Sequence, residues 1–354
     1  MPRITAALSA ALVTLMIGCA TPYDRAESNP TIPPTAPGTE LARTGDEIVI
    51  CGRLFHTGGA RVVLWSDPGG YDGYRVERRF VPLDQSSWED TVKAGGPKTP
   101  NRFGLRKTGL LPEEMERVRG GGWDLPTLAR VVDQFVLHYD ASGTSRRCFR
   151  TLHDERGLSV HFLLDLDGTI YQTLDVKERA WHATVANDRA VGIEIASPGA
   201  FPDPDSPALK RWYGRDAGGV RITVPLAPGE ETGFRVAGFV PRPARPEPVA
   251  GKIHGRTLHQ YDFTPEQYDA LIKLTATLCR VLLAIRPDCP RDAEGRPTAG
   301  KLDADRFAAH RGLLGHYHVQ ADKVDPGPAF DWDRLVSGVR NATLMALDTD
   351  RRPR

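Results

Sequence analysis

The sequence predicts an α/β domain, a mixed central β-sheet flanked by helices, with a small β-rich extension on its N-terminal side. Three observations predict it. Two apolar, β-branched runs, "VVDQFVLHY" (131–139) and "AVGIEIAS" (190–197), read as buried strands. Between them "SVHFLLDLDGTIYQ" (159–172) reads as a hairpin. After them "TPEQYDALIKLTATLCRVLLAI" (264–285) places apolar residues at helical spacing.

Along the chain, Arg3 precedes an apolar run from Ile4 to Gly18, too short to span a bilayer comfortably, so 1–18 reads as a secretory signal. Met16-Ile17-Gly18-Cys19 resembles a bacterial lipobox, with Met16 where Leu is usual, which implies cleavage before Cys19 and its lipidation. Residues 19–45, with Pro30, Pro33, Pro34 and Pro37, form a tether that cannot bury a core. The expected location is therefore the bacterial cell envelope, anchored by lipid at the periplasmic face of the outer membrane. In that oxidising space Cys51, Cys148, Cys279 and Cys289 permit two disulfides in any of three pairings. No CxxC pair is present, which speaks against a thiolate metal site. The net charge of +1, from 46 basic and 45 acidic side chains, shows no basic surplus and argues against a nucleic-acid partner.

In the extension (46–124), "DEIVICGRLF" and "ARVVLWSDPGGYDGYRVERRFVPL" alternate strand and turn signals, with a tight turn at Pro68-Gly69-Gly70. The main domain (125–345) opens with the strand that delivers His138 near its end. "TSRRCFRTLHDERG" (144–157) is a short helix with Cys148, Phe149 and Leu152 on one stripe and Gly157 as its stop. Asp167-Gly168 suits a type I′ hairpin turn. Glu194 lies among apolar neighbours on the next strand. Residues 198–261, rich in Pro and Gly, form an irregular insertion of a length that is usually functional or disordered. Thr264 then caps a helix with Pro265 at its first position and Gln267 closing a capping box, and Pro287 ends it. A polar tail (346–354) closes the chain.

The chemistry-bearing stretch is "GHYHVQADKVDPGPAFDW" (315–332). A zinc hydrolase keeps three protein ligands and leaves one position for water. His138 at a strand end, His316 after a glycine and Asp325 before Pro326 offer such a set, leaving a net charge that lowers the pKa of a bound water to ~7. Glu194 supplies a carboxylate for the water's proton and Lys323 a cation for the oxyanion. Spacing alone is a weak signal here. A strand-end histidine is more often a polar cap than a ligand, Glu194 fits a buried ion pair, and Asp322 and Lys323 fit a solvated loop.

Five segments in order, "FVLHYDASGT", "SVHFLLDLDGTIYQ", "RAWHA", "VGIEIAS" and "GHYHVQADKVDPGPAFDW", resemble the zinc-dependent N-acetylmuramoyl-L-alanine amidases of the amidase_2 family. That family shares its fold with peptidoglycan-recognition proteins. The resemblance covers roughly 126–340 without the insertion. It implies Zn2+ held by His138, His316 and Asp325, Glu194 as acid/base, Lys323 at the oxyanion, and Trp181 and His182 in the substrate groove. His161 matches a hairpin position of the family that is not usually a ligand and is taken as a further substrate contact. The implied reaction is hydrolysis of the amide between N-acetylmuramic acid and L-alanine in peptidoglycan or muropeptides, with zinc-activated water attacking the carbonyl. The segment from His316 to Asp325 is one residue shorter than in several relatives, and Ala321-Asp322 replaces a usual Pro or Gly before the lysine. His318 therefore competes with His316 as ligand. In an extended segment both imidazoles would share a face, leaving His318 to support a ligand or touch substrate.

Two rival readings have different consequences. A non-catalytic peptidoglycan receptor on this fold would lack a ligand, whereas all five residues are present. A structural zinc clip would need a fourth protein ligand, for which His318 or His161 is available.

Overall fold

A computed structural model describes residues 38–351 except 94 and 101. Cys19, the signal segment and most of the tether lie outside the described residues. The folded unit starts at Arg43.

The chain enters through an antiparallel hairpin, β1 (Glu47–Ile50) and β2 (Arg53–His56). Its two turn residues, Cys51 and Gly52, both have positive φ, 52° and 70°, the backbone that a two-residue hairpin twist demands. Their N–H groups donate to the Asp175 carboxylate at 2.9 and 2.7 Å, which holds the non-glycine Cys51 there. β3 (Val62–Leu64) then leaves the hairpin and joins the main sheet.

The sheet has six strands. β4 (Gln134–Tyr139), β5 (Phe162–Leu164), β6 (Ile170–Gln172), β7 (Ala190–Ile195) and, late in the chain, Gly312–Gly315 complete it. Within the insertion lie two antiparallel hairpins, β8 (Tyr213–Asp216) with β9 (Gly219–Ile222) and β10 (Val249–Ile253) with β11 (Arg256–Gln260), so Gly312–Gly315 is β12. The order is β12-β4-β7-β5-β6-β3. β12, β4, β7 and β5 run parallel, β6 is antiparallel to β5, and β3 is parallel to β6, which makes the sheet mixed as expected. β4 and β7 are buried on both faces because Phe135, Val136, Leu137, Val191 and Ile193 have no exposed surface, the pattern of a sheet covered on both sides.

Helix Pro265–Val281 covers one face. Gln267 N–H donates to Thr264 Oγ1 at 3.0 Å and Gln267 Oε1 accepts from Thr264 N–H at 2.9 Å, the reciprocal cap that the sequence predicts. Its Leu271, Leu274 and Leu278 are buried, each contributing about 2 kcal/mol by area removed from water. It packs against the last helix, Trp332–Arg351.

Several expectations need correction. The extension is not strand-and-turn through to 123: after β3 it forms short helices at Leu83–Gln85, Trp88–Lys93 and Pro112–Arg119. Arg75, Glu77, Arg78 and Arg79 leave too few apolar positions for a buried strand there, and Pro82 removes a ladder donor. The hairpin turn is not type I′. Gly168 N–H bonds to Asp165 C=O at 3.0 Å and only Gly168 has positive φ, so a turn over 165–168 ends in a glycine bulge. The insertion is irregular only in part: it holds the short helix Pro207–Trp212 and its two hairpins, and Ile222 from it is buried with Leu166 and Ala196, while 223–248 has neither helix nor strand. Cys51, Cys148, Cys279 and Cys289 are free thiols.

Candidate metal centre and cleft

Parallel strands bring their C-terminal ends to one edge. Register pairs His138 of β4 with Glu194 of β7, and β12 ends at Gly315, so His316 opens the next turn beside them. The third group, Asp325, arrives on a loop pinned by the insertion. Gln260 of β11 donates to Pro326 C=O at 3.0 Å and accepts from Ala329 N–H at 3.0 Å, and His254 meets Lys323 C=O at 3.0 Å.

Nδ1 of His138 and Nδ1 of His316 lie 3.0 Å apart, and Asp325 Oδ2 lies 2.9 and 3.0 Å from them. All three residues are buried. The outer nitrogens are engaged: His316 Nε2 faces Gln320 Oε1 at 2.8 Å, and His138 Nε2 faces His182 Nδ1 at 3.0 Å. Gln320 Oε1 only accepts, so His316 carries its proton on Nε2 and turns a lone pair inward. The same tautomer at His138, with Nε2–H donated to His182, puts three lone pairs on one small triangle. A cation satisfies all three at once, and a two-nitrogen, one-oxygen set suits zinc. The residues present therefore fit the metal.

Electrostatics follow the same logic. Burial alone would raise the Asp325 carboxyl, but the His138 and His316 rings packed against it outweigh burial and hold it well below the usual range. Burial, then the neighbouring His316, pushes the His138 imidazole down to about 4, so it is neutral and ligand-competent at pH 7. His182 is held well below its ordinary value by burial and then by His138. Glu194 is raised well above the carboxylate range by burial and then by Asp325.

A cleft of about 680 Å³ opens over the triangle, lined by Glu194, Trp181, His182 and Lys323 among others. Glu194 and Lys323 thus share the cleft with His138, His316 and Asp325, as does Trp181, whose ring has the Arg179 guanidinium 4.3 Å above it. His182 sits at the cleft but also backs His138. Its ring lies across Gly192, where a Cβ would come within 2.5 Å of it, which accounts for the glycine before "IEI".

His161 is a correction. It has no exposed surface, accepts from Gly192 N–H at 3.1 Å through Nδ1, and meets Glu178 C=O at 2.9 Å through Nε2. It supports β7 from behind and does not line the cleft. His318 is likewise turned away. Residues 316–319 form a helical turn rather than an extended segment, and His318 accepts from Gly315 N–H at 2.8 Å and bonds Thr298 C=O at 2.9 Å. Neither supplies a fourth ligand.

Two cleft residues escaped sequence reasoning. Gln320 lies four residues after His316, a spacing that is informative only once the helical turn is known. Asp140, two residues beyond His138, accepts N–H bonds from Ser142, Gly143 and Ser197 at 2.8–3.0 Å, and burial pushes it up to about 7. The Asp-x-Ser-Gly run was its only signal.

The sequence profile of the Amidase_2 family, described as N-acetylmuramoyl-L-alanine amidase, matches residues 128–328. A search of curated proteins finds no match. Similar solved structures include the amidase AmiD of E. coli, in complex with anhydro-N-acetylmuramic acid-L-Ala-D-γ-Glu-L-Lys, at 20% identity and TM-score 0.33 over 58% of this chain. This chain spans 57% of that AmiD chain. A selenomethionine AmpD derivative matches at 18% identity and TM-score 0.30, over 76% of this chain and 98% of its own. The endolysin amidase LysCS of Clostridium intestinale URNW matches at 16% identity and TM-score 0.29, over 60% and 86%. The family profile covers more than half of the chain, including the strand end that carries His138, Glu194 on β7 and the loop of Asp325: the chain belongs to the Amidase_2 family of N-acetylmuramoyl-L-alanine amidases.

Proposed function

We propose that the protein hydrolyses the amide between N-acetylmuramic acid and L-alanine in peptidoglycan or its muropeptide fragments. The observation that carries the reading is the triangle of His138 Nδ1, His316 Nδ1 and Asp325 Oδ2 at the floor of an open cleft, with Glu194 and Lys323 on its walls. Zinc, when bound, supplies Lewis acidity toward the carbonyl and makes water a stronger acid. Glu194, whose carboxyl burial and then Asp325 raise well above the usual range, takes the proton of the attacking water and returns it to the departing amine of L-alanine. Lys323 offers its ammonium to the oxygen that becomes negative. Asp325 stays charged, and the Nδ1 atoms of His138 and His316 turn toward it because His182 and Gln320 hold their outer nitrogens. Trp181 forms a wall for the sugar or peptide.

We further infer export and lipid anchoring through Cys19, on the lipobox-like residues 16–19. A chain made in cells fed labelled palmitate should carry label that Cys19→Ser lacks.

The decisive experiment is release of stem peptides from purified sacculi by wild type and Glu194→Ala, each with its zinc content determined. Release by wild type and none by a variant that retains one zinc supports the reading. Zinc binding and sacculus binding without release would favour a receptor on this fold.

A further inference from the structure

Ala141, Ser142 and Thr151 line the cleft and also line a second hollow of about 470 Å³ beside it. One wall of this hollow is the helical run Ser145–Glu155, and the other comes from the insertion, through Arg211, Trp212 and the loop up to Glu230. The walls are fastened together. Arg147 donates to both oxygens of Glu230, Nε to Oε1 at 2.7 Å and Nη2 to Oε2 at 2.5 Å. Trp212 lies so close over Gly143 that a Cβ there would come within 2.0 Å of its ring.

Charge decides what this hollow can take. Arg147 and Glu230 cancel. Arg150 meets Glu155 at 3.5 Å, both half exposed, a contact too wet to neutralise it, and it also feels Glu230, which Arg147 already engages. Arg211 is exposed and has no ion pair among the described residues. Two incompletely compensated guanidinium groups thus line the hollow beside the cleft, and among the described residues its one lining carboxylate, Glu230, is already held by Arg147. A muropeptide is uncharged along its sugar hydroxyls and acetamides and carries its carboxylates on the peptide.

Building on the amidase reading, we propose that the insertion and the 145–155 helix form a subsite for the carboxylate-bearing end of the substrate peptide, held by Arg150 and Arg211. The subsite sets which way the substrate lies: peptide toward the insertion, sugar toward the opposite wall of the cleft. It also assigns the insertion a part in substrate choice, which its Pro- and Gly-rich sequence does not disclose.

The test is calorimetric titration of the full zinc-loaded chain with L-Ala-D-γ-Glu-L-Lys and with the same peptide amidated at both carboxylates. Wild type should bind the acid roughly tenfold more tightly than the amide, from two partly exposed charge pairs. Salt should erode that preference. Arg150→Gln with Arg211→Gln should bring the ratio near one while zinc content holds, and Arg150→Lys with Arg211→Lys should restore part of it. Equal binding of acid and amide by wild type, no measurable binding of either, or a full acid preference in the Gln variant overturns the subsite. The two readings fail separately. Stem-peptide release without an acid preference removes the subsite alone. An acid preference lost in the Gln variant, in a protein that releases nothing, leaves the subsite and removes the amidase.

Discussion

Two groups of three metal-capable donors occur among the described residues, each within 4.8 Å: His138, His316 and Asp325 at the sheet edge, and Asp46, Glu47 and His56 on the first hairpin. Their donor atoms differ in what else satisfies them. Glu47 accepts from Thr44 N–H at 2.7 Å, Thr44 Oγ1 at 2.9 Å and Gly45 N–H at 2.9 Å, and Asp46 accepts from Gly59 N–H at 2.9 Å and meets His56 at 2.8 Å. Those carboxylates are tied to the backbone around them and their cluster is structural. In the buried triangle the N–H groups point outward, to Gln320 and His182, and only lone pairs point in. Proximity of ligand-type residues marks both places. The direction of the protons separates them.

The comparison can be broken at either end. The largest effect is expected from Asp325→Ala, which should lose bound zinc and lower peptide release more than about 10³-fold, whereas His56→Ala should keep both. A zinc assay on the two purified variants decides it, and loss of zinc from His56→Ala would overturn the contrast. Next, Glu194→Gln should retain zinc yet lose roughly 10²–10⁴ in turnover, the range of a lost acid/base group. Gln320→Leu should weaken zinc about 10- to 100-fold in a chelator competition, because the lone pair of His316 is aimed by that bond. Unchanged affinity would mean that the amide oxygen does not set the tautomer.

The smallest effect belongs to the hairpin cluster. Burial would raise Asp46 and Glu47, but hydrogen bonds from Thr44 and its neighbours outweigh it and bring both down to about 2. A carboxylate with a folded pKa below its unfolded ~4 stabilises the fold above that value, and the contribution is lost as pH falls through about 2. Thr44→Ala should therefore cost about 1 kcal/mol at pH 6 and progressively less toward pH 2, read from urea melts at both pH values. A cost that stays constant with pH would assign the effect to packing instead.

Much of this was legible before any coordinates. The parallel strands of His138 and Glu194 showed through their β-branched runs, and the helix at 265 through its reciprocal cap. Both are local signals. The roles of His161 and His318 were not legible, because an imidazole buried behind a strand and one turned toward a cleft have the same sequence. The helical turn at 316–319 decides the second case, and a four-residue turn is too short to carry a periodic pattern. The insertion misled for a related reason: its order comes from Ile222 meeting Leu166 and Ala196 and from Gln260 gripping the Asp325 loop, contacts made with residues far away in the chain.

β3 gives the N-terminal extension a meaning beyond its own chemistry. Val62–Leu64 is hydrogen-bonded to Ile170–Gln172, more than a hundred residues later, and closes the outer margin of the six-stranded sheet. During synthesis that strand must wait for its partner, so the last ladder of the sheet is a late and non-local event in folding. A chain cut back to the family-matched half, from 128 onward, would leave β6 with a bare row of peptide groups open to strands from other copies. A unit that keeps this last ladder of the sheet reaches back at least to β3, and excision at the family boundary turns β6 into an exposed edge.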